Sequence, residues 1–233
     1  MYQDVLTRIN ESEMILVGIG EEVSCYPGID WNVYKEWSDW KEFFLSSETK
    51  DKSEIQAFYQ FLGSILTGKN YFIITTNVDD LIYESDLKPE RIVAPCGSKN
   101  RLQCRCEGEE GLIKAPEQYY SMVDACVCEK CGHVYEPNIY NKNYYNESGY
   151  LKQWNLYNKW LQGTLNKKLT ILELGCNFSF LSVIRLPFEK IAMINQKSYY
   201  YRINGRFPQV TAELKEKMKS ISCMPQEFFK KFT

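Results

Sequence analysis

Residues 14–20 read Met-Ile-Leu-Val-Gly-Ile-Gly, an apolar run that stops at glycine. The run is too short for a helix and has no polar alternation. A strand with both sides apolar belongs inside a parallel sheet covered by helices on both faces. A second run follows at Tyr71–Thr75 and a third at Leu169–Leu174. Helical patterns lie between and around them. Residues 2–12 place Val5, Leu6 and Ile9 on one face, and 34–46 and 53–67 are predicted helices. The latter has Ser53 as a predicted N-cap and apolar residues at 55, 58, 61, 62, 65 and 66. A helix near 180–189, a strand at Ile191–Asn195 and mixed helical signal over 210–232 complete the chain. Strand, helix, strand in this order is the rhythm of a doubly wound α/β fold.

That rhythm breaks over 96–137, which holds several glycines and no long periodic apolar stretch. Five of the nine cysteines fall between 104 and 131. An odd cysteine total with no secretory signal argues against a disulfide framework, and clustered cytosolic thiols suggest metal. Cys104-Arg-Cys106 and Cys128-Glu-Lys-Cys131 are two thiolate pairs suited to a tetrahedral structural zinc. Gly132 permits the turn of a zinc knuckle after the second pair. The first pair has one intervening residue instead of two, which leaves Cys126 and His133 as alternative ligands. The stretch 138–162 is rich in Asn, Tyr and Trp, and its later half reads as an amphipathic helix. The expected organisation is therefore one α/β domain from 1–95 and 165–233, with 96–164 as a small zinc-binding and helical module.

Composition sets limits on partners. The net charge is −2, so nothing invites a nucleic-acid backbone or an anionic membrane. Met1–Asn10 is polar and charged, unlike a signal peptide, and no apolar run approaches the ~20 residues needed to span a bilayer. A cytoplasmic protein is expected.

Four strand ends carry polar groups that chemistry could use. Gly18-Ile-Gly20 could let backbone approach a pyrophosphate, with the N–H groups of a following helix facing it. Glu21 and Glu22 come next, and carboxylates there would repel phosphate unless they point away. Thr75-Thr76-Asn77-Val78-Asp79-Asp80 brings hydroxyl, amide and carboxylate groups to the second strand's end, for ribose hydroxyls or for capping the next helix. Leu172–Ser179 runs through Gly175, and Ile191–Asn195 ends in an amide. His133 is the only histidine and lies beside a cysteine of the zinc set, which argues against a Ser–His–Asp arrangement.

In this order the motifs resemble the sirtuins. Gly18/Gly20, Thr76-Asn77-Val78-Asp79, Cys96-Gly97, the 104–131 cysteines, Gly175 and Asn195 stand where that family has G-x-G, (T/Q)-N-x-D, His-Gly, four zinc cysteines, a Gly-rich strand end and a strand ending in Asn. The macrodomain-associated microbial branch is most similar: Ile74–Asp79 matches its ITTNVD, and Leu172–Phe188 aligns with its LELGxGxNTPxxIxxPF. The resemblance implies a Rossmann-like parallel sheet with helices on both faces plus a small zinc-binding insert. It implies NAD held by Gly18, Gly20, Thr76, Asn77, Gly175, Ser179 and Asn195, and zinc held by Cys104, Cys106, Cys128 and Cys131. It implies catalysis by Asn77, Asp79 and the Cys96 position, with a protein as substrate or acceptor. Cys96 replaces the family's histidine base, and a thiol titrating near ~8.5 is a poor base beside imidazole. The branch is associated with NAD-dependent ADP-ribosyl transfer without that histidine. Lysine deacylation, and a module that binds NAD or ADP-ribose without turning it over, are the alternatives.

Overall fold

The computed structural model describes residues 2–47 and 51–232. Its centre is a six-stranded sheet. β1 (Met14–Ile19), β2 (Tyr71–Thr75), β3 (Ile92–Val93), β7 (Leu169–Leu174), β8 (Ser198–Ile203) and β9 (Met218–Ile221) run in the order β3-β2-β1-β7-β8-β9, every neighbour parallel. All six residues of β1 and of β7 are buried, as a strand packed on both faces requires.

Alternate residues of each strand feed two separate cores. Ile15, Val17, Ile19, Ile73, Leu172 and Tyr201 face one side. There they meet α1 (Tyr2–Glu11), α2 (Trp37–Ser47), α3 (Ser53–Leu66) and α6 (Pro225–Phe229) through Val5, Ile9, Trp40, Leu62 and Phe228. Met14, Leu16, Phe72, Ile74, Ile171 and Tyr200 face the other side, under α4 (Ser148–Gln162) and α5 (Arg185–Ile194). The first turn of α3 is not capped by Ser53, which is already helical. The preceding Lys52 makes no side-chain cap, and Asp51 Oδ1 accepts the Ser53 N–H instead at 2.9 Å.

The second core encloses a charged cluster. Glu173 on β7 is 0% exposed and accepts from Arg185 (Nε 3.0 Å, Nη2 2.8 Å), from Arg202 of β8 (Nε 3.0 Å, Nη2 2.9 Å) and from the Tyr200 hydroxyl. Arg202 also donates to Glu189 at 2.7 Å, and Arg185 to the carbonyls of Cys176 and Phe207. Two strands, α5 and the loops beyond them are thus tied to one carboxylate.

The insert forms its own antiparallel sheet, β5-β4-β6, from β4 (Gly97–Gln103), β5 (Leu112–Lys114) and β6 (Glu136–Ile139). Helix α4, grouped with the insert from sequence, buries Tyr157 and Trp160 against Phe72 of β2 and so packs on the main sheet. Residues 191–195, expected as a strand, are the last turn of α5 and its C-cap. The strand of that region is β8, a few residues later. β9 lies within 210–232, a stretch that carried mixed helical signal and no expected strand. Among the described residues no helix is long and apolar enough to cross a membrane.

Candidate functional site

The chain builds β1, β2 and β3 toward one edge, then returns to lay β7, β8 and β9 on the other side of β1. The strand order reverses between β1 and β7. In an open α/β sheet the crevice outside the carboxyl strand ends at such a reversal is the ligand site. Four loops line it: 20–24 after β1, 76–80 after β2, 175–179 after β7 and 204–207 after β8.

Gly18, near the end of β1, and Gly20, at the start of the first loop, serve close packing. A Cβ on Gly18 would lie 2.3 Å from Ile184 Cγ2, and one on Gly20 would lie 2.4 Å from Cys176 Cα. The Gly20 N–H donates to Leu174 O (2.8 Å) and the Glu22 N–H to Gly175 O (3.1 Å). After Gly20 the chain makes only a three-residue 3₁₀ turn, Glu21–Val23. The helix N-terminus expected to face a pyrophosphate is absent here.

The second loop is bonded inward. Asn77 Nδ2 donates to Val23 O (3.0 Å) and the Tyr59 hydroxyl (3.3 Å). Asp79 Oδ2 accepts from Cys25 N (3.0 Å) and the Ser24 hydroxyl (3.2 Å), and Oδ1 from Leu81 N (3.1 Å). Both side chains therefore clamp the loop after β1 over the crevice, and burial pushes the Asp79 carboxyl up. Thr76 is half-buried and donates its N–H to Ile19 O at 3.0 Å.

Asp80 has left-handed backbone (φ 62°), and its Oδ2 accepts from the Ser98 hydroxyl (2.6 Å) and Asn100 N (3.1 Å). Burial raises its carboxyl to about 6. A carboxyl raised on folding binds more protons folded than unfolded, so its contribution to stability falls as pH rises from about 4 to about 6. Asp80→Asn, which tolerates the same backbone, is expected to remove that part of the slope. Urea midpoints at pH 4, 5, 6 and 7 check it, and parallel profiles for the two proteins would refute it.

Beyond the crevice, a cavity of about 680 Å³ opens between the main sheet and the insert. Cys96, Tyr140, Tyr145, Tyr150, Trp154 and Ser179 line it. The aromatic stretch 138–160 is thus divided, its first part facing the cavity and Tyr157 and Trp160 the core. An aromatic cluster holds the cavity's far wall. Trp31 stacks on Trp40 of α2 (5.8 Å), Tyr34 on Trp40 (5.0 Å), and Phe44 meets Tyr120 of the insert (4.4 Å).

At the outer end of the insert, the Sγ atoms of Cys104, Cys106, Cys128 and Cys131 lie within 4.8 Å of one another. Tetrahedral zinc with Zn–S near ~2.3 Å would place sulfurs about 3.8 Å apart, and Cys106 and Cys128 stand at 3.9 Å. Gly132 (φ 70°) turns the knuckle, donating its N–H to Cys128 O at 2.8 Å. Backbone N–H groups pull the Cys131 and Cys128 thiols down, while burial and the neighbouring sulfurs push the Cys104 and Cys106 thiols up. Cys126 is outside the set. His133 is exposed, with Nδ1 3.1 Å from Cys131 O. The donors fit zinc, and four thiolates leave no open position for a reacting water.

No protein-family model matches the chain. A protein ADP-ribosyltransferase of Staphylococcus aureus is 21% identical over 255 residues, spanning 91% of this chain and 80% of its own length. Among solved structures, a Sir2 complex with a p53 peptide and NAD+ superposes with TM-score 0.64 at 16% identity, over 99% of this chain and 96% of that one. A sirtuin from work on substrate affinity gives TM-score 0.64 at 18% identity, again over 99% and 96%. The chain has the sirtuin fold. A structure of Sir2Tm bound to a propionylated peptide agrees, with TM-score 0.63 at 16% identity over 98% and 95%.

Within this sirtuin fold, Cys96 is 4% exposed, and burial pushes its thiol up to about 12. It stays protonated at neutral pH. Gly97 beside it has φ 104°, and a Cβ there would meet Asn138 O at 2.0 Å. Ser179 is exposed at the cavity, bonded to Asn177 (2.9 and 3.0 Å). Asn195 belongs elsewhere. It caps α5 ahead of β8, at the amino ends of the strands and so away from the crevice, and donates to Thr164 O (2.9 Å) and Lys167 O (3.2 Å). The asparagine that does end a strand at the crevice is Asn204. It donates to Cys176 O (2.7 Å) and accepts from Arg206 N (3.0 Å) and Phe207 N (2.6 Å), joining the β7 and β8 loops. The aromatic, β-rich Ser198–Ile203 followed by Asn-Gly was the sequence signal for it.

Proposed function

We propose that this chain binds NAD across the strand-end crevice and transfers ADP-ribose to a protein acceptor. In that reaction the bond between nicotinamide and ribose C1′ breaks, a nucleophile of the acceptor bonds C1′, and nicotinamide departs. The chemistry depends on holding NAD and stabilising a positively charged ribose, more than on a strong base. Asn77 and Asp79, at the end of β2, are the groups assigned to that task. Gly20, Thr76, Gly175, Ser179 and Asn204 border the space for the dinucleotide, and zinc on the four cysteines holds the insert in shape.

The observation that carries transfer over deacylation is the buried, protonated Cys96. Deacylation needs a group that takes a proton from a ribose hydroxyl, and a thiol raised to about 12 does not do so at neutral pH. The relative named a protein ADP-ribosyltransferase supports the same reading, and the NAD-bound Sir2 neighbour supports NAD as the ligand of the crevice. Incubation with NAD and cell lysate is expected to release nicotinamide and to leave ADP-ribose on lysate proteins, seen by mass spectrometry. Asn77→Ala should lower release roughly 100-fold or more, and Cys96→Ala should leave it near the parent level. A parent protein that releases no nicotinamide in lysate would sink the proposal. The second reading, a module that binds dinucleotide without turnover, is favoured by one residue in the crevice, Glu22.

A further inference from the structure

We propose that Glu22 is the resident anion of the strand-end crevice and sets how tightly a pyrophosphate-bearing ligand can enter it. This rests on the crevice being the dinucleotide site.

Glu22 is 7% exposed. Its Oε2 accepts from Gly205 N and its Oε1 from Arg206 N, each at 3.0 Å. Two consecutive backbone N–H groups converging on one carboxylate form an anion-binding concavity. The side chain starts in the loop after β1 and ends on the loop after β8. Between the two lies the end of β7, where Gly175 (φ 65°) has no side chain. A Cβ there would stand 2.6 Å from Glu22 Cβ. The carboxylate arm therefore lies across the point where the strand order reverses. Its backbone is fixed on both sides, the N–H donating to Gly175 O (3.1 Å) and the carbonyl accepting from Gln226 Nε2 (2.6 Å).

Among the described residues no ion pair involves Glu22. Its charge is met by amide N–H groups alone, and these are donors that a phosphate oxygen would also use. Arg206 is exposed beside it and likewise forms no ion pair among the described residues. A phosphate and the carboxylate cannot share the N–H pair, because two negative charges a few ångströms apart repel strongly away from bulk water. The ligand must displace Glu22 and break both charge-assisted bonds. Its apparent affinity then falls by the fraction of molecules in which the arm has moved away.

The test is calorimetry of ADP-ribose, inorganic pyrophosphate and adenosine against the parent chain, Glu22→Ala and Glu22→Gln, with thermal melts to verify folding. Glu22→Ala should bind ADP-ribose and pyrophosphate roughly 10- to 100-fold tighter than the parent, with adenosine unchanged. Glu22→Gln loses the charge but keeps one acceptor oxygen, and should lie between. It also serves if Glu22→Ala does not fold. A merely structural role for Glu22 would weaken binding or leave it alone, and either result overturns the proposal. Equal binding of ADP-ribose by parent and variants removes the role of Glu22 and leaves the dinucleotide site standing. No binding by any of the three proteins overturns both.

Discussion

Glu173→Ala is expected to lower the unfolding free energy by about 3–5 kcal/mol, the scale for removing one partner of a buried ion pair. For a chain of this size that is a drop in Tm of roughly 6–20 °C. The variant strands two guanidinium groups, Arg185 and Arg202, whose side chains are 6% and 2% exposed. Glu189 still neutralises part of Arg202, but among the described residues no other carboxylate pairs with Arg185. Arg185 also holds the carbonyls of Cys176 and Phe207. Its displacement should loosen the β7 and β8 loops of the crevice together. Glu173→Gln, which keeps the shape and some acceptors, should cost less but still destabilise. Denaturant midpoints decide the matter, and a loss below about 1 kcal/mol would mean that the arginines find water or other partners.

Cys128→Ser is expected to reduce bound zinc from about one per chain to nearly none. The insert should suffer selectively. Its sheet has three short strands, so bound zinc would supply order that a core of that size does not. Hydrogen exchange should accelerate over 97–139 while β1, β2 and β7 remain protected. Cys126→Ser and His133→Ala should retain zinc, since both lie outside the four-sulfur set. Elemental analysis of purified protein checks each variant, and a parent chain without zinc would refute the assignment.

The parts of this fold legible in the sequence were those buried on both faces. β1, β2 and β7 are near-continuous apolar runs, and the six-stranded sheet around them follows from parallel pairing. β8 was hidden because it carries Ser198 and Arg202, polar groups that are buried only through partners distant in sequence, Glu173 among them. Ile191–Ile194 imitated a strand because a short apolar run at the end of a helix looks the same by periodicity. That reading put Asn195 at a strand end, whereas the asparagine that follows a strand at the crevice is Asn204. The cysteine cluster was readable from spacing, but the shortened first pair left Cys126 and His133 open as alternatives, and the structure groups Cys104, Cys106, Cys128 and Cys131. The direction of Glu22 was not, because it depends on two N–H groups 183 and 184 residues away.

The stacked Trp31 and Trp40 give the molecule an optical gauge. Trp31 lies nine residues after Glu22 in the connection from β1 to α2, and its packing against α2 fixes the surroundings of both indoles. Intrinsic fluorescence would then register a change in the crevice without any attached dye, with the loop itself as the lever between ligand and light.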